Sequence, residues 1–544
     1  MVWPNLGLAH RPVAMGRRGV VASAHPLASA AGMRILQAGG NAVDAAVATA
    51  AALNVAEPYM SGIGGCGYML IYTAADRQLR VLDYVGPSSR NASLDAFSTE
   101  ADKNYGAKSP LVPSACAGWL TAHTEHGSLD LGAIFKPAIE YAADGVPLTV
   151  KNAFYYNGAF HAGNLTGQTR GVFMPGNRPP ASGECIRQPL LASMYERLIE
   201  GGIESFYRGE LASQIIESVQ AQGGLLDAGD LADYQPVWKQ PLQISYRGYS
   251  IACPPPNCSG IQYLQSLKML EGFDLAGSGQ NSADSLHLMA ETFKLSVADR
   301  IAYTTSPCLK TDEMLSAGYA AGRALLIDRQ HAHRSEGERY MGSREAGVIE
   351  PGDPARMLRE CTTHFDVVDA AGSAVAVTQS LGDGFGSGVM AGDTGIMLNN
   401  FGYWFDFDAE SPNVIGPRKQ IEMCMAPAAV LKDDRLFMVI GTPGSFGILQ
   451  TTPQMISNVI DHQFSIQAAI EAPRIKAVGE TALEIETRVP EEVRNELTAR
   501  GHELRLLGDW SHMVGGGQGI MMDPQTGAKM GGADPRRDGY AIAW

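Results

Sequence analysis

The chain has 544 residues, 45% of them hydrophobic and 18% charged, which is ample material for a large buried core and excludes disorder as its main state. Forty-two Lys and Arg against 57 Asp and Glu leave a formal net charge of −15, and there is no block of more than two consecutive basic residues. Non-specific binding to nucleic acid or to an anionic membrane surface is thereby excluded. Sixty-two glycines, above the usual share of about 7%, announce many tight turns and close backbone approaches.

In chain order, Val20–Ser23 reads as a strand, and Pro26 opens a helix with Ala28, Ala31, Ile35 and Leu36 at helical spacing. Gly39 and Gly40 stop it. Asn41 caps a second helix with Asp44 at the capping-box position; its surface (Ala42, Val43, Ala46, Val47, Ala50, Leu53) is apolar nearly all round, so it has to be buried in a sandwich. Gly62–Gly67 and a strand over Tyr68–Thr73 follow. Residues 110–299 read as mostly helical, with amphipathic stretches at Leu131–Asp144 and Ala212–Gln222 and a long helix at Ser282–Arg300. Residues 309–360 are rich in Arg, Glu, Asp and Gly and read as a mobile surface segment.

From Thr362 the period switches to two. Thr363–Val368 and Ala374–Thr378 flank the turn Asp369–Ser373 as a hairpin, and Ile396–Asn399 and Leu436–Ile440 add strands. Pro490 at a first helical position and Gly501 after the last turn bound a surface helix, and Gly519–Met522 with Asp523–Gly527 signal a terminal hairpin. With no internal repeat and no low-complexity linker, the pattern predicts one layered α+β body. No apolar run is long enough to span a bilayer. Met1–Arg18 lacks the apolar region of a secretory leader, so the expected location is cytoplasmic, or periplasmic where a leader has been removed. The eight cysteines (Cys66, Cys116, Cys185, Cys253, Cys258, Cys308, Cys361, Cys424) have no metal-finger spacing and read as buried or incidental thiols.

Several motifs invite chemistry and have plainer readings. Gly62–Gly67 matches GxGxxG, but a nucleotide site needs a strand before it and a helix after it, and here the order is reversed. His331-Ala332-His333 and the pair His287 and Glu291 lack a third metal ligand nearby in sequence, and are read as surface or helix-face residues. Neither a metal nor a cofactor is expected. Asn91, Asn164 and Asn257 in N-x-Ser/Thr patterns carry meaning only on a secretory route. Ser445 has Pro443 rather than Gly two residues before it, so no G-x-S-x-G elbow exists.

The segment Glu360-Cys361-Thr362-Thr363-His364-Phe365-Asp366-Val367-Val368-Asp369 taken alone is an ordinary strand opening on two β-forming threonines. Its setting is not ordinary. It joins the polar stretch to the first alternating strand, and the glycine-rich Gly382–Gly388 and Gly441–Gly447 follow. With Gly39–Ala46, Glu57-Pro58, Gly62–Gly67, Ala298-Asp299-Arg300, Gly395–Asn400, Pro443-Gly444, Ala472-Pro473-Arg474 and Ala533-Asp534-Pro535-Arg536, the sequence resembles the γ-glutamyltransferase family of N-terminal-nucleophile hydrolases along nearly its whole length. The resemblance implies a four-layer αββα sandwich.

It also implies a precursor that cuts itself between Cys361 and Thr362 into a large fragment, 1–361, and a small one, 362–544, which stay associated as one intertwined domain, possibly as a dimer of such pairs. A threonine hydroxyl is a weak nucleophile, and the α-amine freed on the same residue is placed to take its proton. An α-amino pKa near 8 suits that task. By the same resemblance Ser380 takes the place of a family threonine that hydrogen-bonds the nucleophile. Gly444 and Ser445 take that of the pair whose backbone N–H groups form the oxyanion hole.

The departures bear on the substrate. Where glutathione-acting members grip the γ-glutamyl amino acid with charged and polar side chains, this sequence has Val85, Gly382, Phe401, Trp404, Met423 and Cys424, and the covering loop between Phe405 and Pro417 is short. An apolar pocket leaves a zwitterion's charges desolvated and unpaired. The expectation is therefore an autoprocessing amidohydrolase or acyltransferase acting on a small-molecule amide whose acyl group is not γ-glutamyl. A carboxylated, glutaryl-type acyl group would have Arg90, Arg418 or Lys419 as its charge partner. The alternatives are a true γ-glutamyltransferase and an inactive relative with a binding or structural role.

Overall fold

The computed structural model describes residues 9–303, 311–333, 361–479 and 481–544. Two seven-stranded sheets lie face to face. One runs, in spatial order, Tyr540–Ala543, Val20–Ser23, Cys361–Val368, Ala374–Gly382, Cys66–Thr73, Gln78–Tyr84, Val237–Lys239; the other runs Ala14–Gly16, Lys529–Ala533, Gln518–Met522, Arg435–Gly441, Ala428–Lys432, Tyr249–Cys253, Leu242–Tyr246. Every neighbouring pair in both sheets is antiparallel.

The outer face of the first sheet is covered by Pro26–Gln37 and Ala42–Ala56. The second of these is buried at all fifteen positions, as its all-round apolar surface requires. Its start is the expected capping box: Asn41 Oδ1 accepts the N–H of Val43 and Asp44 at 2.9 and 3.1 Å, and Asp44 accepts Asn41's N–H at 2.9 Å. The other sheet is backed by Ile261–Leu270, Ile448–Ile460 and Ile466–Glu471, completing the four-layer αββα sandwich.

Alternation sorts the residues of the Cys361–Val368 strand. Phe365 and Val367 join the core under the Ala42–Ala56 helix, whereas Val368 joins the core between the sheets. Thr362, His364 and Asp366 share the face of Val368. Strands preceding and following residue 361 interleave in both sheets, so the two stretches do not form separate bodies.

Elsewhere the structure adjusts the expectations. Ile396–Asn399 is not a strand: it makes one isolated bridge, Met390 to Met397, because its backbone groups bond Val389, Ala391, Ser387, Gly64 and the Thr394 hydroxyl in the loops around it. Pro490 is the N-cap rather than the first residue of the Glu491–Ala499 helix. A three-stranded sheet of Ile475–Ala477, Ala482–Glu486 and Glu503–Leu507 went unforeseen, since its strands are short and one pairing is parallel between distant segments. Of the polar stretch 309–360, residues 311–333 are described and hold the short helices Thr311–Met314 and Ala317–Ala324; the remainder, with Cys308 and Glu360, lies outside the described residues. Among the described cysteines all are free thiols, and Cys185 is exposed. No described helix is long and apolar enough to cross a membrane.

Two of the sequence motifs meet in the core. Arg474 bonds Asp534 at 2.8 Å, Asp534 bonds Arg536 at 3.1 Å, and Arg536 Nε donates to Glu486 at 2.8 Å, all four side chains being fully buried. Two cations and two anions balance one another, as a dry interior requires. Ala472-Pro473-Arg474 and Ala533–Arg536 are thus halves of one structural knot.

Candidate active site

The Cys361–Thr362 peptide sits where the first sheet's central hairpin loses its regular register. Cys361 pairs with Gly382 and Thr363 with Gln379, so Ser380 and Leu381 stand opposite the single residue Thr362. Such a bulge re-aims side chains locally. Ser380 uses it: its hydroxyl donates to the carbonyl oxygen of Cys361 and its oxygen accepts the Gly382 N–H at 2.8 Å. In this uncut chain Ser380 therefore addresses the carbonyl that precedes Thr362. Thr362 is 4% exposed, and its own carbonyl accepts from Arg537 Nη1 at 3.3 Å.

Gly444 and Ser445 lie on the turn that leaves Arg435–Gly441 and opens the Ile448–Ile460 helix. Gly444 has φ +133 and Ser445 φ +51, both in the region that is sparsely populated by residues with side chains. The strand that leads into this turn packs against Cys361–Val368. At Gly441 a Cβ would come 2.5 Å from the His364 ring, so only glycine lets the two sheets approach this closely. His364 is itself held between Thr378 Oγ1 at 2.9 Å and Asp366 Oδ2 at 3.0 Å, entirely buried, and burial pushes the Asp366 carboxyl up against the opposing effect of His364.

The six pocket positions fall into two groups. Val85, Phe401, Met423 and Cys424 are buried in one apolar cluster between the sheets, with Trp404 packed on its edge. Trp404 stacks on Phe446, next to Ser445, with centroids 4.9 Å apart, and the Arg300 guanidinium lies over the Phe446 ring at 4.1 Å. Arg300 is held by Glu422 at 2.7 Å and by Gln262 at 2.9 Å. Burial pushes the Cys424 thiol well up, so it is no rival nucleophile. Gly382 is separate: at φ +106, a Cβ there would fall 2.1 Å from Asn400 Oδ1, the atom that accepts the Asp383 N–H at 2.8 Å.

Tyr403 links the two groups. Its ring lies 3.4 Å from the Cβ position of Gly382. Burial pushes its phenol up, and Asp383, Cys424 and Cys361 all add to the effect. The three cations named for a substrate carboxylate are engaged elsewhere. Arg90 is paired with Asp227, Asp230 and Asp233, Arg418 with Asp233, and Lys419 donates to the carbonyls of Pro412 and Val414. Aspartates packed from residues 227–233, invisible as partners in sequence, claim the first two.

Sequence reasoning missed three groups at this junction: Tyr403, Arg537 and Glu57 as a charge. Glu57 ends the Ala42–Ala56 helix, and burial pushes its carboxyl up to about 7, with Arg537 opposing and Asp538 reinforcing. Arg537 stands one residue beyond the Ala533–Arg536 motif, and that second arginine was the available signal.

Beside the hydroxyl, backbone and apolar groups, the junction thus holds the charged pair Glu57 and Arg537. Residues 28–544 match the Gamma-glutamyltranspeptidase family profile. The chain is 36% identical to the Acylase ACY 1 proenzyme of Pseudomonas sp. (strain SE83), covering 97% of this chain and 94% of that protein. It is 33% identical to the Glutathione hydrolase proenzyme of Escherichia coli (strain K12), covering 96% and 90%. The crystal structure of cephalosporin acylase from Bacillus halodurans superposes with a TM-score of 0.89 at 33% identity, covering 100% of this chain and 98% of that one. With its αββα sandwich and this full-length match, the chain belongs to the γ-glutamyltranspeptidase family of N-terminal-nucleophile hydrolases.

Proposed function

We propose that the protein is a self-processing amidohydrolase or acyltransferase in which Thr362 is the nucleophile, first toward its own chain and then toward a small-molecule amide. The single observation that carries the reading is the Ser380 hydroxyl donating to the Cys361 carbonyl. A donor on that oxygen is what attack by the Thr362 hydroxyl requires, because negative charge develops there as the tetrahedral intermediate forms. The intermediate collapses by breaking the bond between the Cys361 carbonyl carbon and the Thr362 nitrogen, which takes up the hydroxyl proton and stays on Thr362 as its α-amine, giving an ester between Cys361 and Thr362 Oγ. Water cleaves the ester, leaving fragments 1–361 and 362–544 with a free α-amine on Thr362.

That amine then takes the hydroxyl proton as Thr362 attacks a substrate carbonyl. The backbone N–H groups of Gly444 and Ser445 receive the oxyanion, and the leaving amine departs with the proton. The acyl–threonine ester passes to water or to an acceptor amine. The wall formed by Val85, Phe401, Trp404, Met423 and Cys424 supports an acyl group that is not a γ-glutamyl amino acid, since it offers no partner for an ammonium and a carboxylate together.

Intact mass spectrometry of the purified chain tests the first step, with fragments 1–361 and 362–544 expected and Thr362→Ala expected to remain uncut. Turnover of a γ-glutamyl anilide against a panel of N-acyl amides tests the second. Glutamate release faster than that of every other acyl group would return the reading to a true γ-glutamyltransferase. An uncut, inert wild-type chain would favour the inactive relative.

A further inference from the structure

The Ala283–Tyr303 helix carries Arg300 near its C-terminal end, and about 14–20 Å back along its axis it carries Glu291 and His287 on one face. The third member of this cluster comes from the other side of the Cys361–Thr362 bond. After the Glu491–Ala499 helix, Gly501 turns the chain at φ +97 and the N–H of His502 returns to the Leu497 carbonyl at 3.1 Å, which sends His502 against that face. His502 Nε2 lies 2.8 Å from His287 Nδ1. All three side chains are buried, at 2% exposure or less.

The protonation of His287 follows from its far nitrogen. Nε2 lies 2.7 Å from the Asp328 carbonyl, which only accepts, so Nε2 carries the proton and Nδ1 presents its lone pair to the cluster. An imidazole that donates its distal N–H to a backbone carbonyl is held as a metal ligand is held. Glu291 Oε1 accepts from Lys294 Nζ at 2.6 Å, while among the described residues Oε2 has a long contact, 3.4 Å, from the His333 N–H. One ligand atom from each of His287, Glu291 and His502 lies within 4.8 Å of the other two. Ligands at about 2.1 Å around a tetrahedral ion stand roughly 3.4 Å apart, so the histidine pair opens by about half an ångström and Glu291 swings inward.

We propose that His287, Glu291 and His502 bind one divalent ion of the zinc class, stapling the stretch before the Cys361–Thr362 bond to the stretch after it. Two imidazoles and one carboxylate are a borderline nitrogen and oxygen set, suited to zinc and its first-row neighbours rather than to calcium or magnesium. Binding leaves the His502 proton on Nδ1, which has no other hydrogen-bond partner among the described residues. The fourth position goes to water.

The test uses the full chain, produced with zinc in the medium and dialysed without chelator. Elemental analysis is expected to find about one zinc per chain. Stripping with a chelator is expected to lower the melting temperature, and zinc chloride to restore it. Glu291→Gln and His502→Ala are each expected to cut the bound zinc at least about tenfold. Zinc far below one per chain in the wild type after dialysis against zinc overturns the proposal. So does a content that neither variant changes, which means an adventitious ion only. Because His502→Ala removes a buried side chain and stands to misfold, cobalt(II) titration of the wild type serves as a second measurement. A tetrahedral visible band is expected, and its absence also overturns the site. These readouts are independent of self-cleavage and apply equally to Thr362→Ala.

Discussion

The Ser380 hydroxyl is bonded to the carbonyl oxygen of Cys361, whose peptide carbon is the one that the proposed self-cleavage attacks. The bond exists because two residues, Ser380 and Leu381, occupy the space opposite one, Thr362. Removing the hydroxyl leaves the carbonyl without this donor. Ser380→Ala is expected to slow self-cleavage by about 10²–10³-fold, the usual cost of one oxyanion donor, while Ser380→Thr retains it. A time course on denaturing gels measures this, and an unchanged rate in Ser380→Ala would remove Ser380 from the cleavage step.

Gly382 admits no side chain. At φ +106 with Asn400 Oδ1 at 2.1 Å from its Cβ position, Gly382→Ala adds both backbone strain and overlap. The expected loss is upwards of about 2 kcal/mol of stability. Cleavage slows with it, because the Gly382 N–H orients Ser380. Urea denaturation and the same gel assay read the two effects.

Trp404 lies on the wall of the pocket and stacks on Phe446. Trp404→Ala is expected to raise KM for apolar acyl amides by about 10–200-fold, the range for one hydrophobic contact of 1–3 kcal/mol, and to leave self-cleavage unchanged. Initial-rate kinetics on the preferred amide decide the matter.

Glu57 makes stability pH-dependent. Its folded carboxyl is pushed up to about 7 from the ordinary 4.5, so the neutral form belongs to the folded state. The stabilisation is complete below about pH 4.5 and is lost as pH rises through 7, amounting to about 3 kcal/mol across that window. Glu57→Gln is expected to flatten this decline, melting higher than the wild type at pH 8 and alongside it at pH 5. Melting curves over pH 4.5–8.5 would show parallel profiles were the carboxylate already ionised at pH 5.

The buried quartet makes a further demand. Asp534→Asn leaves Arg474 and Arg536 facing each other with Glu486 as the remaining anion. Breaking a buried pair in this way costs about 3–5 kcal/mol. Urea denaturation is expected to show that loss, and a loss under 1 kcal/mol would mean that water reaches the cluster.

Local code determined much of this molecule. The capped helix at Ala42–Ala56, apolar nearly all round, announces a buried layer, because it has no polar face to offer to solvent. The reversed order around Gly62–Gly67, helix before and strand after, already excluded a dinucleotide turn. The switch to period two at Thr362 places the Cys361–Val368 strand, and the resemblance names Thr362, Ser380, Gly444 and Ser445 as candidates. What sequence spacing does not encode is which distant groups share a space. Arg90 and Arg418 read as free cations until residues 227–233 fold beside them. Tyr403, Arg537 and Glu57 read as scattered residues until both sheets close on the Cys361–Thr362 bond. His287 and Glu291 lack a third partner in sequence, and His502 arrives from 211 residues beyond Glu291 only because the chain packs there. Periodicity and capping act within a few residues, whereas a site is made by contacts across hundreds, and only the tertiary structure decides those.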